Sequence, residues 1–276
     1  MNYKYLALDL DGTLTLPDKT VSEKCKKYIK KAQKKGICII LASGRPLIGI
    51  EHVAKSLGLY GTNSYILAYN GGQIVDLKSG KDMVKKFIPM KYVPQICDLI
   101  KHFDVVPLTY NEQGVIAERD DTEFIKQEGY NNSVPIIKVK SLEKEVVEPV
   151  VKFMAVGKPE QINMAMRYLK DQVKGQLNIF CSEPFFMEIT PLNIEKATSL
   201  KFLLSQLGGK SSELIAIGDG LNDIPMLKYA GLGIAMENAY EEVKKIANDI
   251  TLSNEQDGVA YSICLLYTSP SPRDCS

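Results

Sequence analysis

The apolar residues of this chain gather in short unbroken runs, each ending abruptly in small or charged residues. The first run, Tyr3-Lys4-Tyr5-Leu6-Ala7-Leu8, stops at Asp9-Leu10-Asp11-Gly12-Thr13. A run this apolar predicts a central strand of a sheet covered on both faces. Thr20-Val21-Ser22-Glu23 has the form of a capping box and predicts a helix to about residue 35, stopped by Gly36. A second apolar strand over 37–42 ends in Ser43-Gly44-Arg45-Pro46, and Pro46 suits the first turn of a helix reaching about residue 57. A third strand, over 65–69, runs into Asn70-Gly71-Gly72. This β-α-β-α-β rhythm is that of a doubly wound parallel sheet.

From about residue 83 the rhythm changes. The pattern predicts a helix over 91–102, paired strands at 105–110 and 114–117, and a loop-like charged stretch over 119–133. It then predicts a strand at 151–156, a helix at 159–173, and strands at 177–181 and 185–189. Strands joined by short turns beside helices predict an inserted α+β domain, placed at 82–189. The parallel rhythm resumes with a helix over 195–207 and an apolar strand over 213–217 that ends in Gly218-Asp219-Gly220-Leu221-Asn222-Asp223. A helix at 224–230, a strand at 232–236, a helix at 240–247 and a strand at 250–252 follow. The fold class expected is α/β, a doubly wound parallel-sheet core of 1–81 and 190–263 carrying the α+β insertion. Residues 264–276 show no helical or strand period and interrupt a helix due to start near Asp257. They resemble the translation of a sequencing adapter and are expected to be a non-native tail.

Composition narrows the function classes. With 34 basic and 33 acidic residues there is no electrostatic reason to expect a nucleic-acid partner. The lysines between 24 and 35 fall at helical spacing and read as a solvated face. No apolar run approaches the ~20 residues of a membrane span, and the start reads as a strand rather than a signal peptide. Cys25, Cys38 and Cys97 sit in core-like patterns without metal-type spacing, as reduced thiols do. The expectation is a cytoplasmic protein, a monomer or weak homo-oligomer, with no membrane partner.

The candidate chemistry lies at the strand ends, where open α/β sheets gather their ligands. Asp9 and Asp11, at the end of a buried strand, are costly unless a cation lies between them. Mg²⁺, which takes hard oxygen ligands, is the natural one. Ser43 follows the second strand; Asp219, Asn222 and Asp223 follow the strand at 213–217; Lys196 opens the helix before it. An aspartate can attack phosphorus and so split a hard hydrolysis into two easier steps. Asp9, Asp219 and the Asp11 carbonyl could hold Mg²⁺, leaving the Asp11 side chain to protonate the leaving oxygen and later to deprotonate water. Ser43, neighbouring amides and Lys196 would grip the other phosphate oxygens. Singly, each element also fits a turn, a helix cap or a solvated lysine. Four together at four strand ends point to phosphoryl chemistry.

Asp9-Leu10-Asp11-Gly12-Thr13-Leu14, Ser43-Gly44-Arg45, Lys196 and Gly218-Asp219-Gly220-Leu221-Asn222-Asp223 resemble the four motifs of the haloacid dehalogenase superfamily. Their spacing is similar to that of the Cof-type branch, in which an α/β cap lies between the second and third motifs. Tyr69-Asn70-Gly71-Gly72, Met187-Glu188-Ile189-Thr190-Pro191, Asn238-Ala239 and Asp257-Gly258-Val259 agree with it. The resemblance implies Asp9 as nucleophile, Asp11 as general acid and base, and Mg²⁺ held by Asp9, Asp11 and Asp219 with support from Asp223. It implies phosphate binding by Ser43, Gly44, Lys196 and Asn222, assisted by the Leu10 amide. Lys196 is followed by Ala197 where many relatives have glycine. The expected function is a Mg²⁺-dependent phosphatase of small phosphorylated metabolites, with a cap that closes over the site and selects the substrate. A phosphohexomutase and a non-catalytic phospho-acceptor are the alternatives.

Overall fold

A computed structural model describes residues 3–267, so most of the expected non-native tail, from 268 on, lies outside the described residues. The first segment forms β1 (Tyr5–Leu8), α1 (Glu23–Lys34), β2 (Cys38–Ala42), α2 (Leu47–Ser56), β3 (Ser64–Ala68), β4 (Gln73–Asp76) and β5 (Lys81–Lys85). The middle segment begins with α3 (Val93–Cys97), α4 (Leu99–His102), β6 (Val105–Tyr110), β7 (Val115–Ala117), α5 (Glu123–Asn132) and β8 (Ile136–Lys138). It continues with α6 (Leu142–Glu145), β9 (Phe153–Gly157), α7 (Pro159–Val173), β10 (Leu177–Glu183) and β11 (Phe186–Pro191). The last segment forms α8 (Lys196–Gln206), β12 (Leu214–Gly218), α9 (Ile224–Tyr229), β13 (Leu232–Ala235), α10 (Glu241–Ile246), β14 (Asp249–Ile250) and α11 (Gly258–Tyr267). Two compact units result. One takes the residues up to Gly44, Ile50–Val84 and those from Glu195 on; the other takes Arg45–Gly49 and Lys85–Ile194.

The first unit is built on an eight-stranded sheet in the order β14-β13-β12-β1-β2-β3-β4-β5. Neighbours from β14 to β3 run parallel, and β4 returns antiparallel to β3. Every residue of β1, β2 and β12 is buried, which is why they read as unbroken apolar runs. The expected α/β core with its parallel sheet is present. The sequence pattern did not disclose β4 and β5. β5, Lys81-Asp82-Met83-Val84-Lys85, is an edge strand whose charges suit an edge and hide its period.

α1 buries Cys25, Tyr28, Ile29 and Ala32, one stripe at helical spacing. Its N-cap is Ser22, whose Oγ accepts the Cys25 N–H at 3.0 Å. The expected capping box put Thr20 there; the Thr20 hydroxyl instead donates to Asp18, and the helix begins two residues later. α11 also departs from expectation, running through Cys264 to Tyr267 and packing on α1. Ile263, Cys264, Leu265 and Leu266 are apolar, and nothing in them stops a helix. Cys25, Cys38 and Cys97 are free and buried, and burial pushes the Cys38 and Cys97 thiols up to about 12. Among the described residues no helix is long and apolar enough to cross a membrane.

The second unit holds a six-stranded sheet in the order β10-β11-β9-β6-β7-β8, antiparallel except between β7 and β8. Phe153, Ala155, Met187 and Ile189 share a core with Ile96, Leu99, Ile162 and Leu169 from the helices. The stretch 119–133, expected to be a loop, contains α5, capped by Thr122 Oγ1 accepting the Ile125 N–H at 3.3 Å. Its apolar period is weak because two of its buried residues are polar. Glu128 Oε1 accepts from Tyr110 Oη and from Asn132 Nδ2, each at 2.6 Å.

Burial pushes the Glu128 carboxyl up, and Glu188 adds to this against the pull of Lys152, Tyr110 and Asn132. An acid whose pKa is raised by folding contributes stability below its unfolded value and loses it as pH rises through the folded one. Glu128→Gln keeps the acceptor and removes the charge. It is therefore expected to raise the melting temperature at about pH 8 and to gain much less near pH 4. Equal gains at both would show that ionisation is not the cause.

Candidate active site

Asp9 follows β1 directly, and its N–H donates to the Ile217 carbonyl of β12 at 3.0 Å. The chain then winds tightly. The Leu10 carbonyl accepts the N–H groups of Leu14 and Thr15 at 2.9 Å and the Thr15 hydroxyl at 3.0 Å. The turn passes through Gly12 at φ +75°, where a Cβ would run into the Asp219 carboxylate, so only glycine fits. Thr13 Oγ1 donates to Asp219 Oδ1 at 2.7 Å, tying the loop after β1 to the loop after β12. Asp11 Oδ1 accepts from Lys19 Nζ at 2.8 Å.

Lys196, the first residue of α8, is fully buried between two carboxylates. Its Nζ donates to Asp9 Oδ1 at 2.5 Å and to Asp223 Oδ1 at 2.6 Å. Asp223 Oδ2 accepts the N–H groups of Asp219 and Gly220 at 3.1 and 3.0 Å. Desolvation works against the Lys196 ammonium, but the Asp223 and Asp9 carboxylates outweigh it and hold its pKa above the usual lysine range. Asp9 is pushed well up, by burial first and then by Asp223, against the pull of Lys196. Asp219 is pushed up to about 6 by burial, with the Thr13 hydroxyl opposing and Asp223 adding.

Asp9, Asp219 and Asp223 each bring an oxygen within 4.8 Å of the others. Three carboxylates around one ammonium leave surplus negative charge, and their hard oxygens fit a Mg²⁺ ion. The bonds above engage Asp9 Oδ1, Asp219 Oδ1 and both oxygens of Asp223, leaving Asp9 Oδ2 and Asp219 Oδ2 for a cation.

Ser43, buried just after β2, donates its N–H to the Leu67 carbonyl at 2.9 Å and accepts the Asn70 N–H on its own carbonyl at 2.8 Å. Asn222 Nδ2 donates to Asn70 Oδ1 at 3.2 Å. A Cβ on Gly44 would lie 3.2 Å from Asn70 Nδ2, so that glycine lets the loop approach Asn70. Asp9, Lys196, Asp219 and Asp223 thus come together, while Asp11 turns its carboxylate to Lys19. Ser43 and Asn222 are linked through Asn70. The sequence assigned no role to Thr13, Lys19 or Asn70. The Asn-Gly-Gly turn was the available signal for Asn70; Lys19 offered none, since its place depends on a left-handed backbone at φ 67°.

The family model of haloacid dehalogenase-like hydrolases matches residues 6–263. The chain belongs to that family. Its motif spacing is that of the Cof-type branch, and it is an enzyme, a phosphatase. The solved structure of a haloacid dehalogenase-like hydrolase from Bacteroides thetaiotaomicron is similar at a TM-score of 0.94 and 37% identity, over 96% of this chain and 100% of that one. TM0651 from Thermotoga maritima is similar at a TM-score of 0.86 and 30% identity, over 97% and 98%. The 5-amino-6-(5-phospho-D-ribitylamino)uracil phosphatase YcsE of Bacillus subtilis is 32% identical over 269 residues, 95% of each chain. In this haloacid dehalogenase-like hydrolase the buried charges stand where the strands of an open sheet present their ligands.

Proposed function

We propose that this hydrolase is a Mg²⁺-dependent phosphatase of sugar phosphates or phosphorylated cofactors, acting through an aspartyl-phosphate on Asp9. The observation that supports it is the buried ammonium of Lys196 between Asp9 and Asp223, with Asp219 beside them. Asp9 Oδ1, positioned by the Lys196 ammonium, attacks phosphorus as the bond to the leaving oxygen breaks and Asp11 supplies its proton, while Asp9 Oδ2 remains for the cation. Asp11 then takes a proton from the water that attacks phosphorus, and the bond between Asp9 and the phosphoryl group breaks. Lys196, Ser43, Asn222 and the amides of Leu10 and Gly44 hold the phosphoryl oxygens. Asp9, Asp219 and the Asp11 carbonyl would hold Mg²⁺, and Asp223 supports them by fixing Lys196 and the Asp219 amide. When bound, Mg²⁺ supplies positive charge against the developing charge on phosphate. The second unit is read as the cap that selects the substrate. The relative YcsE, named for a phosphorylated ribityl compound, supports a small polyhydroxylated phosphomonoester.

Phosphate release from a panel of sugar phosphates, nucleotides and pyridoxal phosphate tests this reading. Interconversion of sugar phosphates with no net release would point to a mutase. Chelation with EDTA is expected to bring release down to background, and added Mg²⁺ to restore it. Mg²⁺ is also expected to raise the melting temperature, since a ligand of the folded state stabilises it. An EDTA-treated enzyme with an undiminished rate and an unmoved melting curve would overturn the metal assignment.

A further inference from the structure

The turn after β3 places three consecutive residues in left-handed backbone: Tyr69 at φ 54°, Asn70 at φ 56° and Gly71 at φ 95°. Two of them are not glycine. Such conformations are disfavoured for L-residues and persist only where the surroundings over-determine them. Here the surroundings are the active-site loops. The Asn70 N–H donates to the Ser43 carbonyl at 2.8 Å, and Asn70 Oδ1 accepts from Asn222 Nδ2 at 3.2 Å. The Gly71 carbonyl accepts from Ser199 Oγ at 3.0 Å, and Ser199 lies one turn beyond Lys196 on α8. A Cβ on Gly71 would collide with the Ser199 side chain, so the turn and the helix are in close contact.

The topology gives these bonds their meaning. β1 lies between β2 and β12; Ser43 follows β2 and Asn222 follows β12. One two-residue turn therefore reaches the loops on both sides of Asp9 and the helix that supplies Lys196.

We propose that the Asn70-Gly71 turn is a positioning element that sets the spacing of Ser43, Lys196 and Asn222 for the phosphoryl group. The inference rests on reading those three residues as phosphate ligands. Neither Asn70 nor Ser199 acts on the reacting atoms. The asparagine does two things at once: its backbone tolerates the left-handed turn, and its carboxamide orients that of Asn222. Asparagine to glycine separates them, since glycine keeps the turn and loses the carboxamide. Sub-ångström placement of phosphate ligands matters because catalysis here depends on positioning.

The experiment compares wild type with Asn70→Gly, Ser199→Ala, Asn222→Ala and the double variant Asn70→Gly/Asn222→Ala. The substrate is p-nitrophenyl phosphate with Mg²⁺, and inorganic phosphate serves as competitive inhibitor. Asn70→Gly is expected to raise KM and the phosphate inhibition constant together, by about tenfold, with a smaller change in kcat and an unshifted pH profile. Ser199→Ala should move the same two constants in the same direction. On the Asn222→Ala background the Asn70→Gly effect should vanish, as expected of coupled residues. Amide hydrogen exchange over 219–223 should also quicken in Asn70→Gly. A lower melting temperature with KM, phosphate inhibition and exchange unchanged would overturn the proposal, and so would strict additivity with Asn222→Ala. If wild type neither releases nor binds phosphate, the phosphatase reading falls. The exchange measurement then still decides whether the turn holds the loop.

Discussion

Asp9→Asn is expected to lower phosphate release by about 10⁴-fold or more, the scale seen when a covalent nucleophile is removed, without unfolding the protein. Asparagine has the size of Asp9 and keeps an oxygen that can accept from Lys196 Nζ, now 2.5 Å from Asp9 Oδ1. A carboxamide is a poor nucleophile toward phosphorus, and it removes one charge from the group that would hold Mg²⁺. The fold should tolerate the change for a specific reason. Asp9 is buried and its carboxyl is pushed up by that burial and by Asp223, so neutralising it relieves crowding. The melting temperature should therefore hold or rise while the rate collapses. Initial rates and thermal melts on the same preparation check both halves. A folded Asp9→Asn protein that retains a tenth of the rate would move the covalent step elsewhere.

Sequence and structure agree where burial is symmetric. β1, β2 and β12 are covered on both faces, so their residues are uniformly apolar and their ends are marked by the first polar groups, Asp9, Ser43 and Asp219. Those polar groups belong to the candidate site, and for that reason most of the candidate site was legible along with the core. What escaped was decided by tertiary context. α5 buries Glu128 and Asn132 in a polar patch, which erases the apolar stripe a helix ordinarily shows. β5 is an exposed, charged edge. The cap of α1 fell to Ser22 because Asp18 drew the Thr20 hydroxyl away. Asn70 reads locally as part of a turn; its bonds to Ser43 and Asn222 bring together loops that follow different strands, and no local pattern carries that. The left-handed backbone of Lys19, which lets it reach Asp11, is likewise invisible in the residue itself.

Removing Lys196 should damage stability and activity together, and the two effects can be separated. Lys196→Met fills a similar volume but leaves Asp9 and Asp223 facing each other in a buried site without their cation. Breaking a buried ion pair from one side typically costs about 3–5 kcal/mol. For a chain of this size that corresponds to a fall of roughly 10 °C in melting temperature. Lys196→Arg is not expected to rescue either property. The ammonium fits between two oxygens at 2.5 and 2.6 Å in a fully buried position, and a planar guanidinium is too large for it. Adding Asp223→Asn to Lys196→Met should recover part of the lost stability, because one uncompensated carboxylate is gone and the asparagine oxygen can still accept from Asp219 and Gly220. It should recover none of the phosphate release, since in the proposed mechanism the phosphoryl group still lacks the Lys196 ammonium. Thermal melts and rates across the three variants test this. Activity that returned with stability would mean that Lys196 serves the fold alone, and a stability unaffected by Lys196→Met would mean that the carboxylates are neutralised by something other than its ammonium.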